Sequence, residues 1–288
     1  MMRKDKKRFK VAMIGHKRVP SREGGIEVVV EELSVRMVER GLKVDVYNRK
    51  DRFGKAYKQP REYKGIRIIQ IPTFKVSALN AFVYSVLASF RALFGGYDCI
   101  HYHAEGPCAM MWLPKLFGIH TVATIHGLDW QRAKWGGFST KYLKLGEKCA
   151  SKYADELIVL SNNNQKYFKE TYGRDTHLIP NGIVKKNADY PARDISEIFG
   201  LQKDGYILFL ARIVPEKGLH YLIEAFKAVE TNKKLVIAGD LTPGNEYVEK
   251  IKKMASEDER IILTGFVQGR LLDELFSNCY IYVLPSDI

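Results

Sequence analysis

The sequence predicts an α/β protein built as two facing Rossmann-like domains with parallel sheets, the second of them incomplete. Three observations predict it. Short apolar runs alternate with helix-length amphipathic segments almost throughout, which is the rhythm of a parallel sheet. Pro180, Asn181 and Gly182 break that rhythm before it restarts near residue 206, which divides the chain into 1–182 and 183–288. With 288 residues, 46% of them hydrophobic, the chain can bury two ordinary cores.

The first strand is expected at 10–14, a short apolar run after a basic start, and a helix at 25–40 opens on paired glycines. Strands follow at 43–48 and 66–71, then a mostly apolar helix at 76–94 and a strand at 99–102. A helix at 109–117, a strand at 121–125, a helix at 140–153, a strand at 156–160, a helix at 163–170 and a strand at 176–179 complete the first half. The stretch 183–205 reads as irregular and polar. The second half takes strands at 206–211, 234–238, 261–263 and 280–284, with helices at 219–230, 245–256 and 271–277. Four strands are fewer than the five or six common in a doubly wound sheet. No repeat of 20–50 residues and no low-complexity tract is present.

The net charge of +13 implies an anionic partner: nucleic acid, an acidic bilayer surface or a phosphorylated small molecule. No nucleic-acid recognition module stands out, so nucleic acid is not expected. Cys99, Cys108, Cys149 and Cys279 show neither metal-ligand spacing nor a paired framework, which fits a reducing compartment. The apolar run after the basic N-terminus is too short for a signal peptide, so a cytoplasmic protein is expected. Segment 76–94 is nearly long enough to span a bilayer, but Asn80 and Arg91 interrupt it; it reads as an amphipathic helix, packed on its own sheet or in contact with a membrane surface.

Arg212 and Lys217 are the most telling residues. A strand delivers Arg212 into a loop and a helix starts near Gly218, so two cations and the free N–H groups of a first helical turn are expected at one phosphate-sized spot. Each charge-assisted hydrogen bond is worth roughly 1.5–3 kcal/mol, enough together to hold a diphosphate. Ligands of such sheets bind beyond the carboxyl ends of the strands, so the loops at 16–25, 126–137, 212–217, 239–244 and 265–268 are expected to converge on one cleft.

Other loops offer weaker signals. Gly24 and Gly25 open the first helix and let backbone approach a ligand, but they lack the G-x-G-x-x-G spacing of a nicotinamide site. His126 leaves an apolar strand at its carboxyl end, followed by Gly127 and Asp129; it can move a proton, donate a hydrogen bond, or be a satisfied half-buried ring. His101 and His103 have a spacing that suits a metal, yet Glu105 is the only candidate third ligand, so no metal site is expected. Trp130, Arg132, Lys134 and Trp135 form a basic-aromatic loop suited to a sugar ring or a headgroup, or to core packing. Gly265, Phe266 and Val267 can present backbone to a planar base. No D-x-D occurs to hold a metal-bound nucleotide phosphate.

Gly24 and Gly25, His126, the PNG at 180–182, Arg212 with Lys217, Gly239 with Asp240, the GFV at 265–267 and the YVLPS at 282–286 together resemble, in kind and order, the retaining GT-B glycosyltransferases of family 4. The GHKRVPSREGGIE opening at 15–27 is similar to a bacterial subgroup that includes rhamnosyltransferases of cell-surface polysaccharide assembly. The resemblance implies a nucleotide-diphosphate sugar held by the second domain. It sets Arg212 and Lys217 on the diphosphate, Gly24 and Gly25 reaching the phosphate from the first domain, and Gly239, Phe266 and Val267 at the donor. His126 would be the catalytic-side residue, lining the sugar; His103, Asp129, Arg132 and Trp135 would face a glycan or lipid-linked glycan acceptor. A hexose or deoxyhexose, rhamnose by subgroup, would be transferred with retention and without a metal or other cofactor, at the inner face of a membrane. The family's Glu-x7-Glu motif is expected directly after the LPS at 284–286, where the sequence has Asp287 and Ile288. The expectation is therefore a truncated form with little transferase activity of its own, or else a non-catalytic protein that binds sugar nucleotides or regulates a partner.

Overall fold

The computed structural model describes residues 8–22, 24–51, 60–73, 77–131, 137–183 and 189–286, and the chain divides into two compact units, Met1–Ile183 and Val184–Ile288. Arg132, Lys134 and Trp135 lie outside the described residues.

The first unit runs β1 (Lys10–Ile14), α1 (Gly25–Glu39), β2 (Lys43–Asp51), β3 (Glu62–Tyr63), β4 (Ile66–Thr73), α2 (Ser77–Leu93), β5 (Cys99–His103), α3 (Glu105–Cys108), α4 (Trp112–Leu116), β6 (His120–Ile125), α5 (Gly137–Tyr153), β7 (Glu156–Val159), α6 (Asn162–Tyr172) and β8 (His177–Leu178). Its sheet has the order β3-β4-β2-β1-β5-β6-β7-β8, parallel except for the β3/β4 pair. Strand β1 shows why the strands are continuously apolar. Val11 and Met13 enter a core with Val30 of α1, while Ala12 and Ile14 enter a second core with Tyr84 of α2, Ala150 of α5 and Phe168 of α6. With both faces covered, neither register position can be polar.

The second unit runs α7 (Asp194–Phe199), β9 (Tyr206–Leu210), α8 (Leu219–Lys227), β10 (Lys234–Ala238), α9 (Glu246–Ser256), β11 (Ile261–Gly265), α10 (Gly269–Asn278) and β12 (Ile281–Tyr282). The sheet is wholly parallel, in the order β11-β10-β9-β12. Phe209 and Ile237 pack under α8 and α9; Leu208 and Val236, on the other face, pack with Leu275 of α10 and Ile195 of α7.

Three elements differ from the sequence reading. The helix expected at 109–117 is two short ones, α3 and α4, joined by turns at 109–111. Pro107 and Pro114 lack the N–H groups a continuous helix would use. The stretch 183–205 contains α7. A two-residue strand, β3, turns back on β4 through Lys64 and Gly65, both at positive φ.

Each sheet reverses strand order at one place, and a parallel sheet opens a crevice at the carboxyl ends there. In the first unit that place lies between β1 and β5, and in the second between β9 and β12.

Candidate active site

The first unit's crevice is made by the turn after β1 and the residues after β5. Gly15 has φ +127°, and a Cβ on it would stand 2.0 Å from the His103 carbonyl oxygen, so only glycine lets the two strand ends meet. The Gly15 N–H donates to the Tyr84 hydroxyl at 3.1 Å, and that hydroxyl donates to the Tyr47 carbonyl at 2.6 Å. His16 is buried, with Nε2 at 2.9 Å from Asn48 Oδ1, and burial lowers it to about 4.

Three histidines line the crevice. The His101 and His103 rings stack at 4.2 Å, His101 Nε2 lies 2.8 Å from Thr124 Oγ1, and His103 Nδ1 lies 3.1 Å from His126 Nε2. Burial lowers His101 to about 3 and takes His103 well below its ordinary value; burial also lowers His126 to about 4 against the opposing pull of Glu27. All three are neutral near pH 7. His103 Nε2 is buried and meets no hydrogen-bond partner among the described residues. A bare lone pair there is cheaper than an orphaned N–H, which puts the His103 proton on Nδ1, donating to His126. His126 then carries its own proton on Nδ1 and is a hydrogen-bond donor, the form suited to holding a sugar hydroxyl.

Gly24 is the N-cap of α1 and offers no side-chain cap to the helix; a Cβ on Gly25 would meet nothing within 4 Å. The first turn of α1 is not bare, however: the Glu27 carboxylate lies over it, so that a Cβ on Gly24 would stand 2.2 Å from Glu27 Oε2. Glu27, one turn in, accepts the Lys17 N–H at 3.0 Å. Asp129 is half-buried in a 3-10 turn, Asp129–Gln131, and its N–H donates to Glu105 Oε2 at 3.1 Å. Among the described residues no group of three or more His, Cys, Asp or Glu is placed to hold a metal ion.

The sequence reading missed several residues here. Arg49, near the end of β2, sets its guanidinium over the Tyr84 ring at 4.7 Å, and burial lowers its pKa. Glu147 is fully buried on α5. Its signal was available, because Leu143, Gly146, Glu147 and Ala150 share one helical face and the carboxylate is the odd member.

In the second unit, Arg212 is exposed just past the end of β9. Lys217 ends a 3-10 turn, Pro215–Lys217, that precedes α8, and its Nζ donates to Ser286 Oγ at 3.1 Å. Gly218 follows at φ +63°, and a Cβ there would stand 1.9 Å from the Pro285 carbonyl oxygen. The chain after β9 and the chain after β12 are thus fitted together at the crevice. Gly239 is fitted too: a Cβ would stand 2.4 Å from the Ala211 carbonyl oxygen, so its glycine is required by the approach of two loops. Gly265 turns at φ +74°, leaving Phe266 54% exposed while Val267 packs on the core.

Two family models match the chain: Glycosyltransferase Family 4 over residues 23–186 and Glycosyl transferases group 1 over residues 192–288. An uncharacterized glycosyltransferase of Bacillus subtilis is 27% identical over 197 residues, 66% of this chain and 52% of that protein. The O-antigen chain mannosyltransferase C of Escherichia coli is 25% identical over 278 residues, 93% of this chain and 70% of that protein. Among solved structures, sucrose-phosphate synthase from Thermosynechococcus elongatus superposes with a TM-score of 0.79 at 22% identity, covering 97% of this chain and 76% of that one. Anabaena HepE in complex with UDP and glucose gives 0.73 at 17%, covering 96% and 74%. The fold is GT-B, with two Rossmann-like domains, and the chain belongs to Glycosyltransferase Family 4.

Proposed function

We propose that the chain carries the donor-side and acceptor-side domains of a glycosyltransferase that moves a hexose or deoxyhexose from a nucleotide-diphosphate sugar to a glycan or lipid-linked glycan, with retention. The observation that supports it is the second unit's crevice, beside which Arg212 stands exposed just past β9 and Lys217 ends the turn that leads into α8. The relative named as a mannosyltransferase and the fold neighbour bound to UDP support a nucleotide-sugar donor. Rhamnose rests on the likeness of the 15–27 opening alone.

As the bond between the sugar's anomeric carbon and the β-phosphate oxygen breaks, its electron pair leaves with the nucleoside diphosphate. Arg212 and Lys217 meet that charge, the part a metal ion would otherwise play; cations placed before the bond breaks lower the barrier. The acceptor hydroxyl attacks the oxocarbenium-like carbon from the same face, and its proton passes to the departing phosphate. His126 holds a sugar hydroxyl through Nδ1–H.

Thermal shift with UDP, GDP and dTDP in the presence of EDTA tests the donor site. At one hundred times Kd, a ligand stabilises by about 2.7 kcal/mol, so a clear rise in melting temperature is expected with one of the three. Arg212→Ala and Lys217→Ala should each abolish it. An undiminished rise in both variants would move the donor elsewhere.

A further inference from the structure

Gly146 faces α3 so closely that a Cβ there would stand 1.9 Å from the Glu105 carbonyl oxygen. That approach brings the Glu147 carboxyl of α5 within hydrogen-bonding reach of Glu105. Neither residue is accessible to solvent. Two like charges this close in a buried place cannot both persist.

Their other partners decide which keeps the charge. Glu147 Oε1 accepts the Tyr167 and Tyr172 hydroxyls at 2.7 and 2.6 Å, and Oε2 accepts the Trp130 indole N–H at 2.9 Å. Among the described residues Glu105 Oε2 accepts the Asp129 N–H alone, and Oε1 faces no donor. A carboxylate with three donors is the better anion, so the proton sits on Glu105, where Oε1 turns from an orphaned acceptor into a donor towards Glu147. Burial first, then the Asp129 and Glu147 charges, raise Glu105 to about 9. Other titratable groups face the cluster: Cys108 on α3 is buried and held well above its ordinary value, Tyr142 of α5 packs by Gly106 and is pushed up to about 12 by burial, and Lys144 of α5 sets its Nζ 4.4 Å from the Trp130 ring centroid. Immediately before Glu105, Ala104 is held at φ 69° and ψ 161°, a backbone region that L-residues avoid and that accumulates at functional sites.

We propose that the Glu105–Glu147 pair, sharing one proton, is a positioning device for the 126–130 segment: it clamps the Asp129 amide and the Trp130 indole, and so sets His126 and Asp129 in place. Loss of the shared proton sets two carboxylates against each other and releases the segment. The bearing on sugar transfer rests on the function proposed above; the clamp itself is a property of the first unit.

The experiment follows Trp130 emission in a Trp112→Phe, Trp135→Phe background between pH 6 and 10.5. A shift to longer wavelength is expected with its midpoint near pH 9. In that background Glu105→Gln, whose carboxamide both donates to Glu147 and accepts from Asp129, should keep the neutral-pH emission across the whole range, while its melting temperature at pH 7 stays within a few degrees of the parent. A role in packing alone would not give a pH transition that a neutral isostere removes. An unchanged transition in Glu105→Gln, or none in the parent, overturns the proposal. A carboxyl carbon titration of Glu105 by NMR reads the same proton without a variant, and an inflection near pH 4.5 would also overturn it. If no nucleoside diphosphate raises the melting temperature while the Trp130 transition stands, the transferase reading falls and the clamp remains.

Discussion

At the scale of single residues, the histidines at the first crevice carry a definite pH signature. His16 and His126 are lowered to about 4 and His101 to about 3, chiefly by burial, and His103 lies well below its ordinary value. An unfolded histidine takes up its proton near pH 6.5, so between there and about pH 4 the unfolded chain binds more protons than the folded one. The contribution is therefore complete above pH 6.5 and is lost as pH falls. Each such histidine tilts stability by up to about 1.4 kcal/mol per pH unit in that window. Urea unfolding of the protein should show a midpoint that drops steeply from pH 6.5 to 5, and His16→Gln should flatten the drop. A midpoint constant over that range would mean that the rings are hydrated rather than buried. His126 could be picked out from sequence because it follows an apolar strand. Its hydrogen bond to His103 could not, since it depends on β5 and β6 pairing in a register that sets His103 opposite Thr124.

Among the elements, α7 explains what a local reading cannot see. Its N-terminal N–H groups are capped from 79 to 81 residues away: Glu274 Oε2 on α10 accepts from Arg193, Asp194 and Ile195 at 3.0, 2.8 and 3.2 Å. Arg270 Nε meets the other oxygen of Glu274 at 2.9 Å. The N-cap residue, Arg193, supplies no side-chain cap, and although Asp194 and Glu197 mark a first turn, six residues are too short a run for a helical period to show, so 194–199 reads as irregular. By contrast, β1 and β10, whose apolar runs are covered on both faces, have the same limits in sequence and structure. Burial pushes the Glu274 carboxyl up, but Arg270 and the three backbone donors outweigh it and hold it below the usual range. Its contribution is thus present above the unfolded glutamate pKa and is lost as pH falls through the lower folded value. Glu274→Ala leaves three donors without their acceptor and should cost about 2–4 kcal/mol, read as earlier unfolding of the second unit, with the hydrogen-exchange protection of 194–199 lost first. Wild-type protection in that helix would show that water replaces the carboxylate.

The whole molecule combines two separately cored units with a net charge of +13 and an uneven surface. Among the described residues no helix is long and apolar enough to cross a membrane. Yet large apolar side chains stand out on two elements that touch: Phe90 of α2 and Phe94 just past its end are 55% and 77% exposed, and Leu116 and Phe117 at the end of α4 are 74% and 66% exposed. Leu87, Phe90 and Arg91 fall on one helical face, and with Phe94 that face walls a cavity of about 540 Å³ that Lys10 and Arg67 also line, paired with Asp45 at 3.3 and 3.8 Å. The amphipathic character of this helix was legible in the sequence. Which face packs was not, because the core takes Tyr84, Ala88 and Ala92, the small or hydroxyl-bearing members, and leaves phenylalanines outside. Apolar side chains among cations suit an anionic bilayer surface, where Coulomb attraction draws the protein in and aromatic insertion holds it. Co-sedimentation with vesicles containing phosphatidylglycerol should therefore exceed that with phosphatidylcholine alone, and should weaken between 0.1 and 0.5 M salt as the screening length falls well below about 10 Å. Full burial of one such side chain is worth about 1.5–3 kcal/mol, so Phe90→Ser with Phe94→Ser should lower the partition at least tenfold even with shallow insertion. The nucleoside diphosphate shift should be untouched in that variant, since it belongs to the second unit. Equal binding to neutral vesicles, or an unchanged partition in the double variant, would overturn the expectation of a membrane surface and leave the donor site standing.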